Sequence, residues 1–160
     1  MAHAIRPARN ADGAACREIV FGILRQYGLE PEPDGQDADL DDLEAHYDGR
    51  DSLFLVVVDD AGRIVGTGGL KRYDAEQAEI KKMYLLPEVR GQGLGRRLLD
   101  TLVGFARAVG YRRIVLESNS NLTEALQLYQ RYGFAPVPPE HLSYRCDRAF
   151  ALDLEPAGGP

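Results

Sequence analysis

The chain has 160 residues, of which 44% are apolar and 28% charged, a composition typical of one soluble globular domain. Its net charge of −6 argues against a nucleic-acid partner, whose phosphate backbone would require a basic face. No apolar run approaches the roughly 18 residues of a membrane span, and the N-terminus lacks the apolar segment of a secretory signal, so we expect no membrane partner and a cytoplasmic protein.

The first predicted elements are a strand and two helices. Ile5 to Ala8 has the pattern of a short strand, and Asp12 is placed to cap a helix that ends at Gly28. The loop over residues 29–38 contains two prolines and a glycine, which exclude regular structure. A shorter second helix is predicted over about residues 39–46.

The segment that contains this loop and the second helix is strongly acidic. From Glu30 to Asp48 the chain carries nine carboxylates and no Lys or Arg. Such a segment is either a solvated surface or a surface that favours a cationic substrate by long-range attraction. Both interpretations stay open at this point.

The pattern then changes to strands. Leu53 to Val58 is an apolar, β-branched run, residues 59–62 form a turn, and Ile64 to Leu70 returns as the second arm of a hairpin. A second turn over residues 74–76 leads into a strand from Ala78 to Leu85. Three consecutive strands therefore form an antiparallel meander.

The segment Arg90-Gly91-Gln92-Gly93-Leu94-Gly95-Arg96 follows Pro87 and opens a helix. Its glycines allow φ > 0 and close approach of a ligand to the backbone. The first helix amides lack partners and lie at the positive end of the helix dipole, so they favour phosphate, and Arg90 and Arg96 can add charge-assisted hydrogen bonds. The alternative is a glycine-rich turn between two solvated arginines.

Two common phosphate loops do not fit this segment. A Walker loop needs a Lys-Ser/Thr pair, which is missing, and a dinucleotide fingerprint needs glycine where Arg96 stands. A dinucleotide fold would also place its glycine turn after the first strand of a βαβ unit, whereas this turn follows a meander.

The helix after the glycine turn is predicted from Gly93 to Ala108, because its apolar residues recur on one face. A short buried strand from Arg113 to Glu117 follows. We expect it to run parallel to the preceding strand, because a helix crosses between them.

The last predicted elements are a helix and a strand. Asn121 and Glu124 resemble a capping box that opens a helix ending at Gly133. Three prolines at positions 136, 138 and 139 mark a connection, and residues 155–160 are expected to be a disordered tail. Apolar residues at even positions place one face of a final strand at Tyr144, Cys146, Phe150, Leu152 and Leu154.

Cysteine and histidine make no recognisable site. Cys16 and Cys146 lie in different predicted elements without metal or redox spacing, and we expect both to be small buried hydrophobic residues. His3, His46 and His141 are scattered along the chain. A catalytic metal is therefore not expected.

Three segments together resemble the GNAT (GCN5-related N-acetyltransferase) superfamily. Arg90 to Gly95 matches its pyrophosphate-binding pattern Gln/Arg-x-x-Gly-x-Gly/Ala, Ala78 to Pro87 resembles its fourth strand, and Ala125 to Phe134 resembles its Leu-Tyr…Gly-Phe helix end. The resemblance follows the order of the fold over residues 3–154 and implies a bacterial-type enzyme with a single domain over residues 1–154. The implied fold class is α/β (α+β), with a mixed, mostly antiparallel sheet of about seven strands, four helices, and strands 4 and 5 parallel and splayed around the cofactor.

The resemblance implies acetyl-CoA as co-substrate and no metal. The pyrophosphate would bind Arg90 and the amides of Gln92 to Arg96, and the pantetheine arm would pair with strand 4. An amide near Met83 or Tyr84 would face the acetyl oxygen. Met83 and Leu85 are equally compatible with ordinary core, and Asn121 with a helix cap, a pantetheine contact or both. The implied cofactor-binding residues are Met83, Tyr84, Leu85, Arg90, Gly91, Gln92, Gly93, Leu94, Gly95, Arg96 and Asn121.

Two residues match the family's catalytic positions. An alkylamine has a pKa near 10, so a base or a water chain must deprotonate it, and Glu79 stands where several members carry a catalytic Glu. The alternative is an ion pair of Glu79 with Lys81 or Lys82. Tyr129 matches the family's general acid for the leaving thiolate, and the alternative is a core aromatic residue.

The function favoured by the sequence is acetyl transfer from acetyl-CoA to a primary amine of a small molecule or peptide, which the acidic segment would favour in cationic form. We expect direct attack in a ternary complex, because no Cys or Ser lies in a nucleophile pattern. By resemblance, the first helix pair and its loop border the acceptor, and the protein would be a monomer or homodimer. The alternatives are a non-catalytic acyl-CoA-binding or sensor module on the same fold and a nucleotide-binding domain of another class.

Overall fold

The computed structural model describes residues 2–139, 142–143 and 145–155. Over these residues the chain forms one seven-stranded sheet in the order β1-β2-β3-β4-β5-β7-β6, in which β4 and β5 are parallel and the other neighbours antiparallel. The strands are β1 (Ala4–Pro7), β2 (Leu53–Val58), β3 (Ile64–Arg72), β4 (Gln77–Leu85), β5 (Arg113–Ser118), β6 (Ala135–Pro136) and β7 (Arg148–Asp153). The α-helices are α1 (Gly13–Gln26), α2 (Leu43–His46), α3 (Leu94–Val109) and α4 (Thr123–Tyr132). The predicted fold class is confirmed.

Two hydrophobic clusters lie on opposite faces of this sheet. Alternate residues of β2 divide between them, as expected for a strand buried on both faces. Phe54 and Val56 pack with α1 and α2, whereas Leu55 and Val57 pack with the buried stripe of α3. The sheet is thus covered by helices on both sides, and Tyr129 packs α4 into the cluster on the α3 side.

The parallel strands β4 and β5 separate halfway along β4. Their pairing runs from Gln77 opposite Arg113 to Ile80 opposite Leu116 and goes no further. Beyond Ile80, β4 continues to Leu85 paired only with β3, while Glu117 and Ser118 of β5 pair with β7. The opening between the two strands leaves the β5-facing edge of β4 without a strand partner over residues 81–85.

A β-bulge lies at the point where the strands separate. Thr67 pairs with Tyr84 and Gly69 with Lys81, so β4 carries one residue more than β3 between these pairs. Lys82 takes φ of 54°, a left-handed conformation that is uncommon for residues other than glycine. The Thr67 hydroxyl donates a hydrogen bond to the Lys82 carbonyl at 2.7 Å and supports the bulge.

Two predictions for the N-terminal region are wrong. Asp12 precedes α1 but makes no side-chain hydrogen bond to it, because its carboxylate accepts from the Arg6 guanidinium and the Arg9 amide instead. The predicted helix over residues 39–46 is two short pieces, a 3₁₀ turn over Ala38–Asp41 and α2. The Asp42 side chain caps α2 by accepting from the Ala45 amide.

The C-terminal region differs in three places. The predicted capping box at Asn121 is wrong, since α4 begins at Thr123 after Leu122 and has no side-chain cap. Ala135 and Pro136, predicted as a connection, form the edge strand β6, where a proline is tolerated. Cys146 precedes β7, which begins at Arg148. Tyr144 and residues 156–160 of the predicted tail lie outside the described residues, as does His141.

Candidate active site

A cleft of about 510 Å³ occupies the opening between β4 and β5. Residues 79–85 of β4 form one wall, and the glycine turn, the start of α3 and one side of α4 form the other. The end of α1 and the loop after it close a third side through Tyr27 and Leu29. The cleft is therefore lined by the three segments on which the GNAT resemblance rests, namely β4, the glycine turn and α4.

The glycine turn leaves the start of α3 open. Gly91 and Gly93 have φ of 78° and 79°, and Gly93 is the residue from which α3 begins. A Cβ at either position would meet nothing within 4 Å, so this backbone borders open space. The Arg97 amide donates to the Gly93 carbonyl, so the amides of residues 94–96 precede the first helical bond and have no partner within the helix. These amides form a donor group at the positive helix end.

Arg90 is held in place at the side of this turn. Its Nε donates to the Leu85 carbonyl at 3.0 Å, and its Nη1 donates to the Tyr27 hydroxyl at 3.2 Å. The guanidinium thus joins the end of β4 to the end of α1 while it lines the cleft. Arg96 is exposed and lies over the Tyr132 ring, with its Cζ 5.8 Å from the ring centroid.

Close packing of α3 against α4 positions Tyr129. A Cβ at Gly95 would lie 2.6 Å from Leu128 Cδ2, so glycine allows α4 to approach the first turn of α3. The Tyr129 ring is buried and contacts Phe134 and Phe150, with centroids 5.9 and 6.4 Å away. Its hydroxyl makes no hydrogen bond to any described residue. Burial, with Tyr84 and Cys146 nearby, raises the pKa of the hydroxyl, which therefore stays protonated near neutral pH.

Glu79 lies at the inner end of the cleft, where β4 and β5 are still paired. Burial raises the pKa of its carboxyl, the charge of Lys81 opposes this increase, and Glu117 on β5 adds to it. Lys81 Nζ lies 3.7 Å from the Glu79 carboxylate, so the predicted ion pair exists with Lys81. A buried carboxylate with a raised pKa is a better base than a solvated one, and the ion pair does not remove that property.

A buried charge cluster, not predicted from the sequence, lies beside the cleft. Arg145 donates two hydrogen bonds to the Asp37 carboxylate, at 2.8 and 2.7 Å. Lys82 Nζ, placed inward by the bulge, lies 3.3 Å from both Asp37 and Asp39 and donates to the Gln36 carbonyl. Asp39 also accepts a hydrogen bond from the Tyr47 hydroxyl at 2.6 Å. We call Asp37, Asp39, Lys82 and Arg145 the buried charge cluster.

This cluster corrects the interpretation of the acidic segment. Asp37 and Asp39, two of the nine carboxylates between Glu30 and Asp48, are buried and paired with cations, so they neither face solvent nor attract a ligand. Burial raises the pKa of Asp37, but the hydrogen bonds from Arg145 and the Glu32 amide, with the charge of Lys82, outweigh burial and hold it below its ordinary value.

Two predicted cofactor residues do not line the cleft. Gln92 and Asn121 are exposed and lie outside its walls, whereas the other nine do line it. Asn119 lines it instead, and its side chain donates to the Arg145 carbonyl and accepts from the Asn121 amide, both at 2.8 Å. Of the two asparagines in this segment, Asn119 is the one that lines the cleft.

The two cysteines differ from each other. Cys16 is fully buried as predicted, but the prediction for Cys146 is wrong, because this residue is partly exposed and lines the cleft. Burial raises the pKa of the Cys146 thiol, which keeps it protonated and a poor nucleophile. Within the described part of the chain, no three His, Cys, Asp or Glu side chains are grouped to hold a metal ion. None of the described helices has the length and apolarity to cross a bilayer.

Comparison with known proteins places this geometry in a family. A model of the acetyltransferase (GNAT) family matches residues 18–134. The uncharacterized N-acetyltransferase YjgM of Escherichia coli (strain K12) is 33% identical over 149 residues, covering 90% of this chain and 86% of that protein. The crystal structure of a GNAT-family acetyltransferase from Staphylococcus aureus Mu50 aligns with a TM-score of 0.89 at 22% identity, covering 96% of this chain and 100% of that one. A GNAT-superfamily phosphinothricin acetyltransferase from Sinorhizobium meliloti, in complex with AcCoA, aligns with a TM-score of 0.75 at 21% identity, covering 96% of this chain and 89% of that one.

Proposed function

The chain belongs to the GNAT acetyltransferase family and is an acetyl-CoA-dependent N-acetyltransferase, and we propose that the cleft between β4 and β5 binds acetyl-CoA. The observation that carries this proposal is the open turn at Gly91 and Gly93, which presents unpartnered amides at the start of α3. The pyrophosphate would accept hydrogen bonds from these amides and from Arg90. Arg96 adds a second positive charge at the same end of the cleft. The family's crystallised member with AcCoA supports this choice of ligand.

The pantetheine arm is proposed to run along the free edge of β4. The separation from β5 leaves this edge without a strand partner from residue 81 to residue 85, so an extended ligand can pair with it as a strand would. The Leu85 carbonyl already accepts from Arg90, and the backbone of Tyr84 pairs with Thr67 of β3, so we assign the backbone groups of Met83 to the ligand. An amide near them would stabilise negative charge on the acetyl oxygen.

We propose direct transfer with Glu79 as base and Tyr129 as proton donor. Glu79 accepts a proton from the substrate ammonium, the amine nitrogen bonds to the acetyl carbon, and the carbon–sulfur bond breaks. The departing sulfur receives a proton, for which the Tyr129 hydroxyl is placed as donor. The nitrogen, now bonded to the acetyl carbon, gives up its second proton, which restores the Tyr129 hydroxyl through water. The protonated, partly buried Cys146 supports this route over an acetyl-cysteine intermediate.

The acceptor is proposed to be a small molecule that carries a primary amine. The phosphinothricin acetyltransferase named above supports a small-molecule acceptor over a protein. We further propose that residues 1–154 act as one domain, because strands from both ends of the described chain join a single sheet. The alternative of a non-catalytic acyl-CoA sensor requires acetyl-CoA binding without turnover.

The test is thiol release from acetyl-CoA with a panel of amino acids, polyamines, aminoglycosides, arylalkylamines and peptide N-termini. In Tyr129→Phe the ring and its packing remain, so kcat with the best amine should fall by roughly 10- to 1000-fold while acetyl-CoA affinity is unchanged. Tyr132→Phe is the matched control, because its hydroxyl lies on the same helix but bonds Asp100 at 2.8 Å on the surface.

Two results would contradict the proposal. Tight acetyl-CoA binding with no turnover of any amine would favour the sensor. Wild-type turnover by Tyr129→Phe would show that the hydroxyl is not the donor.

A further inference from the structure

A second cavity, of about 270 Å³, adjoins the cleft on the sheet face opposite α3. Alternate residues of β4 and β5 form its floor, namely Gln77, Glu79, Arg113, Val115 and Glu117. Their neighbours in sequence, such as Ala78 and Ile114, point into the core under α3. This half of the sheet face is bordered by the segment after β6, not by α1 or α2, so the second cavity shares no residue with the acidic segment.

The cleft and the second cavity meet at two carboxylates. Of the residues that the structure describes, only Glu79 and Glu117 line both spaces. Glu79 pairs with Val115 across the parallel strands, and Glu117 lies two residues further on the same face of β5. Both side chains therefore stand at the passage between the acetyl-CoA cleft and the second cavity.

Glu117 has no cationic partner among the described residues. It accepts a hydrogen bond from the Ser143 amide at 3.2 Å and makes no ion pair with a described residue. Lys81 contacts Glu79, 3.7 Å away. Arg113 lies four residues before Glu117, about 13 Å along an extended strand, beside Asp153, so its charge is distant from the passage.

The remaining walls of the second cavity are mostly apolar. They include Val115, Val137, Pro138 and Leu142, with Tyr73 at the rim. Tyr73 is the large hydrophobic residue that stands out as exposed among those described, at 47%. Apolar walls on one side, with two carboxylates at the passage, fit a ligand that has an apolar body and a positively charged end.

Building on the acetyl-CoA cleft proposed above, we propose that this second cavity receives the acceptor, an amine on an apolar body such as an alkylamine or arylalkylamine. Its ammonium group lies at the passage, where Glu117 holds it by charge and Glu79 accepts one of its protons. The neutral nitrogen then bonds to the acetyl carbon as the carbon–sulfur bond breaks. The sulfur takes a proton from Tyr129, and the second proton of the nitrogen restores that hydroxyl through water, so Glu117 takes part in no proton transfer. Glu117 is thus a specificity-determining residue, distinct from the base.

The first variant is Glu117→Gln, with 2-phenylethylamine as probe and acetyl-CoA as donor. Loss of the charged partner should raise KM for the amine by about 10- to 100-fold, with a smaller change in kcat and no change in acetyl-CoA Kd. Asp34→Asn is the control, since Asp34 is exposed in the acidic segment and the same loss of charge there should leave KM unchanged.

A second variant, Val115→Phe, fills the cavity floor without altering charge. It should raise KM more for 2-phenylethylamine than for the smaller ethylamine, with acetyl-CoA binding again unchanged. An unchanged amine KM in Glu117→Gln would overturn the inference. So would an increase in amine KM in Asp34→Asn as large as that in Glu117→Gln. A change of oligomeric state by Val115→Phe without a change in KM would overturn it too, since this face would then be an interface between copies.

Failure of the cofactor assignment gives a different result. A wild-type protein that does not bind acetyl-CoA contradicts the cleft itself. A protein that binds acetyl-CoA and acetylates polar amines but no apolar ones contradicts only the acceptor class.

Discussion

Replacing Asp37 with Asn should destabilise the fold more than any other single loss of a carboxylate in the acidic segment. Asp37 is 1% exposed and accepts two hydrogen bonds from Arg145 and one from the Glu32 amide, with Lys82 3.3 Å away. The variant removes the carboxylate that Arg145 pairs with and leaves Lys82 with Asp39 alone in the buried charge cluster. Breaking a buried ion pair by removing one partner costs about 3–5 kcal/mol. For a chain of this size that corresponds to a fall in Tm of roughly 6–20 °C.

The matched control is Asp41→Asn, two residues from Asp39 in the same segment. Asp41 pairs with Arg17 at 3.1 Å, but its side chain is 61% exposed, and such surface pairs contribute about 0–1 kcal/mol. Urea unfolding and thermal melting of both variants give the comparison directly. A Tm for Asp37→Asn within about 3 °C of the control would refute the reasoning, because the cluster would then contribute no more than a surface pair.

The same comparison has a defined dependence on pH. The pKa of Asp37 in the folded protein lies below its unfolded value, so its contribution is fully present above the unfolded value, near 3.9, and is lost as pH falls through the folded pKa. The difference in unfolding free energy between wild type and Asp37→Asn should therefore be constant at neutral pH and shrink in strong acid. A difference that grows on acidification would contradict the assigned ion pairs.

Two further predictions concern the cleft. Gly93→Val should weaken acetyl-CoA binding by about 10-fold or more in calorimetry, because valine disfavours φ of 79° and adds bulk beside the amides. The control Gly62→Val, at φ of 84° in the β2–β3 turn, should leave the Kd for acetyl-CoA unchanged. Equal Kd values for the two variants would refute the site. Glu79→Gln should lower kcat most at neutral pH and least at high pH, where more amine is already deprotonated, and a pH–rate profile of wild-type height and shape would show that water is the base.

The elements defined by local patterns were predictable from the sequence. β2 has the predicted bounds, Leu53–Val58, because a short run of apolar, β-branched residues between turns predicts a buried strand. The glycine turn was predictable for the same reason, since only glycine takes φ near 80° at Gly91 and Gly93 without strain. The helix that follows differs from its prediction by one residue at each end.

Two predictions that depended on the side chain of a single polar residue failed. Asp12 and Asn121 both have the residue type of a helix cap. Asp12 instead accepts from Arg6, which is six residues away on β1. Asn119, not Asn121, lines the cleft, and its side-chain amide donates to the Arg145 carbonyl. A helix cap is a preference of about 1 kcal/mol, which one charge-assisted tertiary hydrogen bond can offset.

The buried charge cluster shows why the cleft could not be derived from local patterns. Asp37 and Arg145 are 108 residues apart, so no local pattern predicts that they pair. The bulge in β4 turns Lys82 toward the same carboxylate, and no local pattern predicts this either. The bulge also adjoins Met83, so Lys82, which pairs with Asp37 and Asp39, is next to the residue proposed to bind the pantetheine arm. The loop, the segment before β7 and the free edge of β4 are therefore fixed to one another by charge. Through Lys82 and Arg145 the cluster contributes to the lining of the cleft, whereas the proposed acceptor contact is Glu117, which makes no ion pair with a described residue.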